Sequence, residues 1–215
     1  MAAAIELVGR GHGVVVFEQG DVPYENASST DVSKAVRRTW YAGDNATYVE
    51  LAERAAVRWR EWETRSGQSF YHQTGGLNVG RSFEPGAPMH ASVEFLRARG
   101  AEIEVMSPGE ARKRFPQLRF GDDDVCVYDP WSGYIESGRA VSVMADVSRE
   151  SGVELRENTP VTGIDDVEVK VTHQQMLLIE PRDPKVFAHG VFPIHGASTP
   201  TGRGGTASHC YERAM

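Results

Sequence analysis

The chain of 215 residues has little cysteine, no excess of positive charge and no long apolar run. Each shortage excludes something. The two cysteines, Cys126 and Cys210, form no CxxC and no metal-type spacing. Neither a disulfide framework nor a thiolate metal site is therefore expected, and a reducing compartment is. Acidic residues outnumber basic ones, 30 to 23, giving a net charge of -7. Nucleic acid and anionic membrane surfaces suit such a chain poorly as partners. No stretch approaches the ~20 apolar residues of a membrane span. Met1 to Ala4 lacks the basic start of a secretory leader, so a cytoplasmic location is expected, with the peroxisome as the alternative. The glycosylation triplets at Asn26 and Asn45 then read as chance. No internal repeat is found. What remains, 40% hydrophobic and 25% charged residues, is the composition of a globular protein of one large or two small domains.

The pattern along the chain is mixed α/β. Ala2 to Val8 are good helix formers, and glycines at 9, 11 and 13 end the run. Val14-Val15-Val16-Phe17 is a β-branched run of the parallel-sheet kind, closed by Glu18. From Asp31 the spacing of Val32, Ala35 and Val36 predicts a helix, which would put Lys34 and Arg37 on one face. A longer helix is predicted over Thr47 to Arg65, with Trp59 and Trp62 on its apolar side. Short strands are expected at 69–72 and 76–80, a helix at 91–98 and a strand at 102–105. Ser107-Pro108-Gly109-Glu110 spells a capping box. A strand at 125–128, a turn through Asp129-Pro130-Trp131-Ser132-Gly133, a helix at 139–149 and a strand at 152–155 follow. Residues 167–171 and 176–179 also read as strands. Ser, Thr, Gly and Pro dominate 197–208, which predicts loop or disorder.

One constellation carries chemistry. Helix, glycine turn, β-run and terminal acid form the second half of a dinucleotide-binding βαβ unit, whose acid accepts hydrogen bonds from ribose hydroxyls. Glu18 occupies that place. Taken alone, Lys34 and Arg37 would be a solvated face, and the isolated His72 and His195 would be structural.

The run from Ala3 to Glu18 is similar to A-x-x-L-x-x-x-G-x-x-V-x-x-x-E. After it come Ser28-Ser29-Thr30, Lys34 to Arg37, Tyr48 to Ala52, Trp59, Thr74-Gly75-Gly76-Leu77, Phe115-Pro116 and Tyr128 to Ile135. In this order the set resembles the FAD-dependent D-amino-acid oxidase superfamily, in its sarcosine oxidase and fructosyl amino acid oxidase (amadoriase) branch. The resemblance covers about residues 2–165 and, more loosely, 167–195. It implies a partial FAD-binding Rossmann-like domain (1–45 and 122–165) interleaved with a partial antiparallel-sheet substrate domain (46–121 and 166–195), then an unstructured tail (196–215). It implies FAD as cofactor and an FAD-dependent amine oxidase acting on CH–NH donors. Secondary or N-substituted amino acids would be oxidised by hydride transfer to the flavin, with dioxygen reduced to peroxide. Glu18 and Gln19 fall on the ribose-binding acid and its neighbour. Ser28, Ser29 and Thr30 fall on the loop that lines the flavin. Lys34 falls beside the flavin ring, and Arg37 on the arginine that pairs with the substrate carboxylate. As catalytic types the two cations make sense: a cation stabilises a flavin gaining negative charge, and a guanidinium holds a carboxylate bidentately.

The sequence also departs from the family pattern. No GxGxxG precedes the first helix, the pattern skips between Ile164 and Val167, and the C-terminal FAD portion has no counterpart after His195. His173 stands where relatives carry arginine, and Cys210 lacks the surroundings of a flavin-linking cysteine. A truncated, internally deleted form is therefore expected. Its alternative function is that of a non-catalytic remnant or interaction protein, self-associating through open sheet edges.

Overall fold

The computed structural model describes residues 1–39, 46–162, 181–188, 191–200 and 206–208. In chain order these form α1 (Ala2–Gly9), β1 (Val15–Phe17), β2 (Lys34–Val36), α2 (Ala46–Ser66), β3 (Tyr71–His72), β4 (Gly76–Gly80), α3 (Pro88–Ala98) and β5 (Glu104–Met106). Then come α4 (Pro108–Arg114), β6 (Val125–Asp129), β7 (Gly133–Ile135), α5 (Ser137–Glu150), β8 (Glu154–Arg156), a 3-10 turn (Pro184–Phe187), β9 (Ile194–Pro200) and β10 (Thr206–Ser208). The expected strands at 167–171 and 176–179 lie outside the described residues, as do Trp40, His173 and Cys210. The chain divides into two compact units. One comprises Met1–Ser33, Glu61–Phe70 and Glu136–Glu180. The other comprises Lys34–Arg60, Tyr71–Ile135 and Pro181–Met215.

The first unit holds the helix–turn–strand legible at the N-terminus. α1 packs on α5, and α5 on β8. β1 pairs with β8 in parallel, Val15 opposite Glu154 and Phe17 opposite Arg156. The inner stripe of α5 is Ala140, Val143 and Val147, three to four residues apart and buried. The helix ends where Gly152 takes φ +93. There the amides of Gly152 and Val153 reach back to the carbonyls of Arg149 and Ser148, a left-handed terminus that glycine adopts without Cβ strain. The sheet has only these two strands among the described residues. Val15 and Phe17 are 39% and 46% exposed.

The second unit is built on a five-stranded sheet in the order β10-β9-β4-β6-β5. Side chains alternate across it. On one face Leu77, Val79 and Cys126 meet Ala111, Phe115 and Phe120. On the other, Val127 meets Val49 of α2, Val93 and Leu96 of α3, and Ile103. Burying each of these larger side chains contributes about 1.5–3 kcal/mol. α4 begins at the expected capping box: the Ser107 hydroxyl accepts from the Glu110 amide, and the Glu110 carboxylate accepts from the Ser107 amide at 2.8 Å. The Ser107 hydroxyl, which also donates to that carboxylate at 2.7 Å, and the Ser107 amide hold the Glu110 carboxyl below its usual range.

A second sheet, β2-β7-β3, is antiparallel throughout, with Lys34 opposite Ile135 and Val36 opposite Gly133. It corrects the sequence reading, in which 31–37 is helical and 134–135 carries no strand. Three residues with two apolar members fit either period, and pairing with β7 decides for strand. The tail is corrected as well. Residues 194–197 pair in parallel with β4, and 206–208 pair back on 198–200, where composition alone predicts loop. The apolar edge of β4 supplies a partner that composition cannot show.

Candidate functional site

The residues singled out from the sequence fall in both units. In the first, Glu18 follows β1 directly. Its amide donates to Arg156 and its carbonyl accepts from Thr159. Its carboxylate Oε1 accepts from the amide of Gln19 at 2.7 Å, so the side chain is tethered at the strand end with its second oxygen outside that bond. Gln19, Ser28 and Ser29 are exposed. Thr30 differs. Its amide donates to Ala27, yet its Oγ1 is buried with no hydrogen-bond partner. A buried hydroxyl without a partner costs about 1–3 kcal/mol.

In the second unit Lys34 is exposed on β2 and Arg37 is half-buried just after it. A separation of three, which shares a face on a helix, separates faces along an extended chain. The shared helical face expected for them is therefore corrected. Of the other aromatic and histidine positions, Trp59 is half-buried and leans on Tyr71 at 5.4 Å. His72 lies over Tyr134 at 4.7 Å, and His195 is buried on β9.

The arginine that the structure buries is Arg38, 9% exposed. Its Nε donates to Asp129 Oδ2 at 3.1 Å and its Nη2 to Asp129 Oδ1 at 3.2 Å. Its Nη1 donates to Glu53 Oε1 on α2 at 2.8 Å. The guanidinium lies over the Trp131 ring at 4.9 Å. Asp129 is fully buried and also accepts from the Ser132 hydroxyl at 3.0 Å and the Trp131 amide at 3.1 Å. Beside it, Asn78 donates to Thr39 across β4 at 2.5 Å. A cavity of about 690 Å³, lined by Arg38, Glu53, Arg99, Glu102 and Trp131 among others, adjoins this network. The sequence reading passes over Arg38, Glu53 and Asp129 as site residues. Arg38 follows β2 at a bend, and the basic pair Arg37-Arg38 is the one local signal the sequence offers for it.

Two glycines shape the same region. A Cβ at Gly133 would collide with the carbonyl oxygen of His72, so β7 admits β3 only without a side chain there. Gly75 takes φ +80 and packs under the Tyr128 hydroxyl.

No group of three or more potential metal ligands occurs among the described residues. No described helix is long and apolar enough to cross a membrane. For a dinucleotide such as FAD the residues present fit in part. An acid ends a parallel strand next to a helix, and a buried hydroxyl waits unpaired on the following loop.

The comparisons with known proteins accord with this. A family model described as FAD dependent oxidoreductase matches residues 1–192. N-methyl-L-tryptophan oxidase of Yersinia pestis is 24% identical over 160 residues, which cover 72% of this chain and 41% of that protein. Among solved structures, L-proline dehydrogenase from P. horikoshii superposes with a TM-score of 0.61 at 24% identity, covering 74% of this chain and 41% of the other. The fructosamine oxidase Amadoriase II from Aspergillus fumigatus gives 0.54 at 21%, covering 72% and 36%. The chain thus spans about two-fifths of the length of such relatives. With the family model running from the first helix through Phe192 over both units, the chain belongs to the FAD dependent oxidoreductase family.

Proposed function

We propose that the chain serves the FAD-dependent oxidation of the C–N bond of secondary or N-substituted amino acids, of the sarcosine or fructosyl amino acid type. The observation that carries the reading is the Thr30 hydroxyl, buried and unpartnered on the loop expected to line the flavin. Glu18, tethered at the end of β1, supports it. When bound, FAD would accept a hydride equivalent from the carbon beside the substrate nitrogen and return the electrons to dioxygen, releasing peroxide.

The chain's own residues orient and charge the site. Glu18 would accept hydrogen bonds from ribose hydroxyls, with Gln19 beside it. Ser28, Ser29 and Thr30 would donate to the cofactor. Lys34 would hold positive charge near the flavin ring, and Arg37 would clamp the substrate carboxylate.

The test is the visible spectrum of the protein after incubation with FAD and desalting. A retained flavin band is expected, weakened in Glu18→Ala and Thr30→Val. A soluble, folded protein that retains no flavin overturns the reading. A second reading, self-association as a non-catalytic interaction protein, is favoured by the two-stranded β1–β8 sheet and its exposed Val15 and Phe17. Sedimentation decides it: a monodisperse monomer that holds flavin excludes it.

A further inference from the structure

We propose that Arg38 is a positioning residue for Lys34 and Arg37. This rests on the reading of those two cations as site residues. Lys34 sits on β2 and Arg37 just beyond it, and β2 is only three residues long with a single partner strand, β7, among the described residues. So short a strand does not hold its own register firmly. What holds it is at its far end. Arg38 forks onto both oxygens of Asp129, the last residue of β6, and reaches Glu53 on α2 with a third donor. Asp129 in turn gathers the Trp131 amide and the Ser132 hydroxyl, the two residues that lead into Gly133 and β7. One buried guanidinium therefore joins the end of β2, a helix, the end of β6 and the turn that begins β7.

The arrangement is geometric rather than merely cohesive. The carboxylate oxygens of Asp129 fix the plane and azimuth of the guanidinium, and the Trp131 ring covers one of its faces. With Arg38 drawn into the interior at the bend that follows β2, the backbone that carries Arg37 is held between that bend and the β2–β7 ladder. Lys34 stands opposite Ile135 through the same β2–β7 ladder. A lysine at 38 would keep the charge and lose the fork, so it would leave β2 free to rotate about a single contact.

The test compares wild type with Arg38→Lys, with the charge-balanced double variant Arg38→Met plus Asp129→Asn, and with Arg37→Met. The FAD-loaded proteins are titrated with N-acetylglycine and with N-acetylglycinamide, and binding is followed by flavin absorbance. These probes differ in the carboxylate, and neither carries an oxidisable amine. Hydrogen exchange is measured on the same samples. Wild type should prefer the carboxylate by tenfold or more, and Arg37→Met should abolish the preference. Arg38→Lys and the double variant should each reduce it at least threefold, while exchange rises at residues 34–37 and stays unchanged in β4 and β6. Unchanged preference in either Arg38 variant, or exchange that rises throughout the second unit, overturns the positioning role alone. Wild type that holds no flavin, or that shows no carboxylate preference, overturns the functional reading and this inference with it.

Discussion

The two units hold their candidate site residues by different means. In the first, Glu18 and Thr30 stand on backbone supported from one side. Among the described residues β1 has one partner strand, its outer side chains are exposed, and the hydroxyl that Thr30 buries has no hydrogen-bond partner. In the second, the cation-bearing β2 ends in a network that draws in α2, β6 and the turn into β7, with its central carboxylate fully buried and fully engaged. A satisfied buried network specifies one arrangement of the chain, whereas an unsatisfied buried group is a strain that a ligand can relieve. The network at the end of β2 is thus set before anything binds, and the loop that carries Thr30 has something to gain from binding.

The sharpest way to break this contrast is Asp129→Ala. It leaves Arg38 buried without its main partner, and a loss of about 3–5 kcal/mol is expected, read by urea unfolding. A loss below about 1 kcal/mol, the worth of an exposed pair, would mean that water already serves the network. Gly133→Ala comes next, since a methyl group there collides with the His72 carbonyl. Overpacking of this kind costs about 1–3 kcal/mol, and β2 and β3 should exchange amide protons faster. In the first unit the sign reverses. Thr30→Val removes the unsatisfied hydroxyl and should stabilise the FAD-free chain by about 1 kcal/mol while weakening flavin retention. A variant that loses stability without FAD would show that the hydroxyl already has a partner.

Below pH 9 a further test, a pH dependence in the second unit, has no effect at all; its effect is confined to alkaline solution. Burial pushes the Cys126 thiol from its ordinary 9.0 up to about 11, with Asp124 adding to the rise. The unfolded chain therefore gives up this proton first. The associated stability is complete below pH 9 and is lost as pH rises toward 11. Native protein at pH 8 should resist a thiol reagent at Cys126, and Cys126→Ala should flatten the alkaline decline.

How much of this was legible in the sequence varies with how local the deciding force is. α1, β1 and Glu18 were legible because glycines and a β-branched run punctuate them within a few residues. The Ser107–Glu110 cap was legible because both of its bonds close within one turn. β2 was not, because its three residues carry no period of their own and β7 imposes the conformation. The tail was not, because β9 takes its partner from β4, a strand far back in the chain. The same distance hid Asp129 as the partner of Arg38. An arginine and an aspartate 91 residues apart leave no joint mark on either local pattern, so Arg37 drew attention through the resemblance and Arg38 did not.

The pairing of β4 with β9, Gly76 opposite Ile194, also sets an order of events in time. β4, β5 and β6 follow one another closely in the chain and can assemble as soon as the chain reaches Asp129. β9 must close a loop of more than a hundred residues, and the entropy of that closure has to be met before its hydrogen bonds form. Until then one edge of β4, with Leu77 and Val79 on a single face, is unpaired. During synthesis and on refolding this edge is the surface on which two nascent copies would meet, so yield should fall with protein concentration well before native stability is tested.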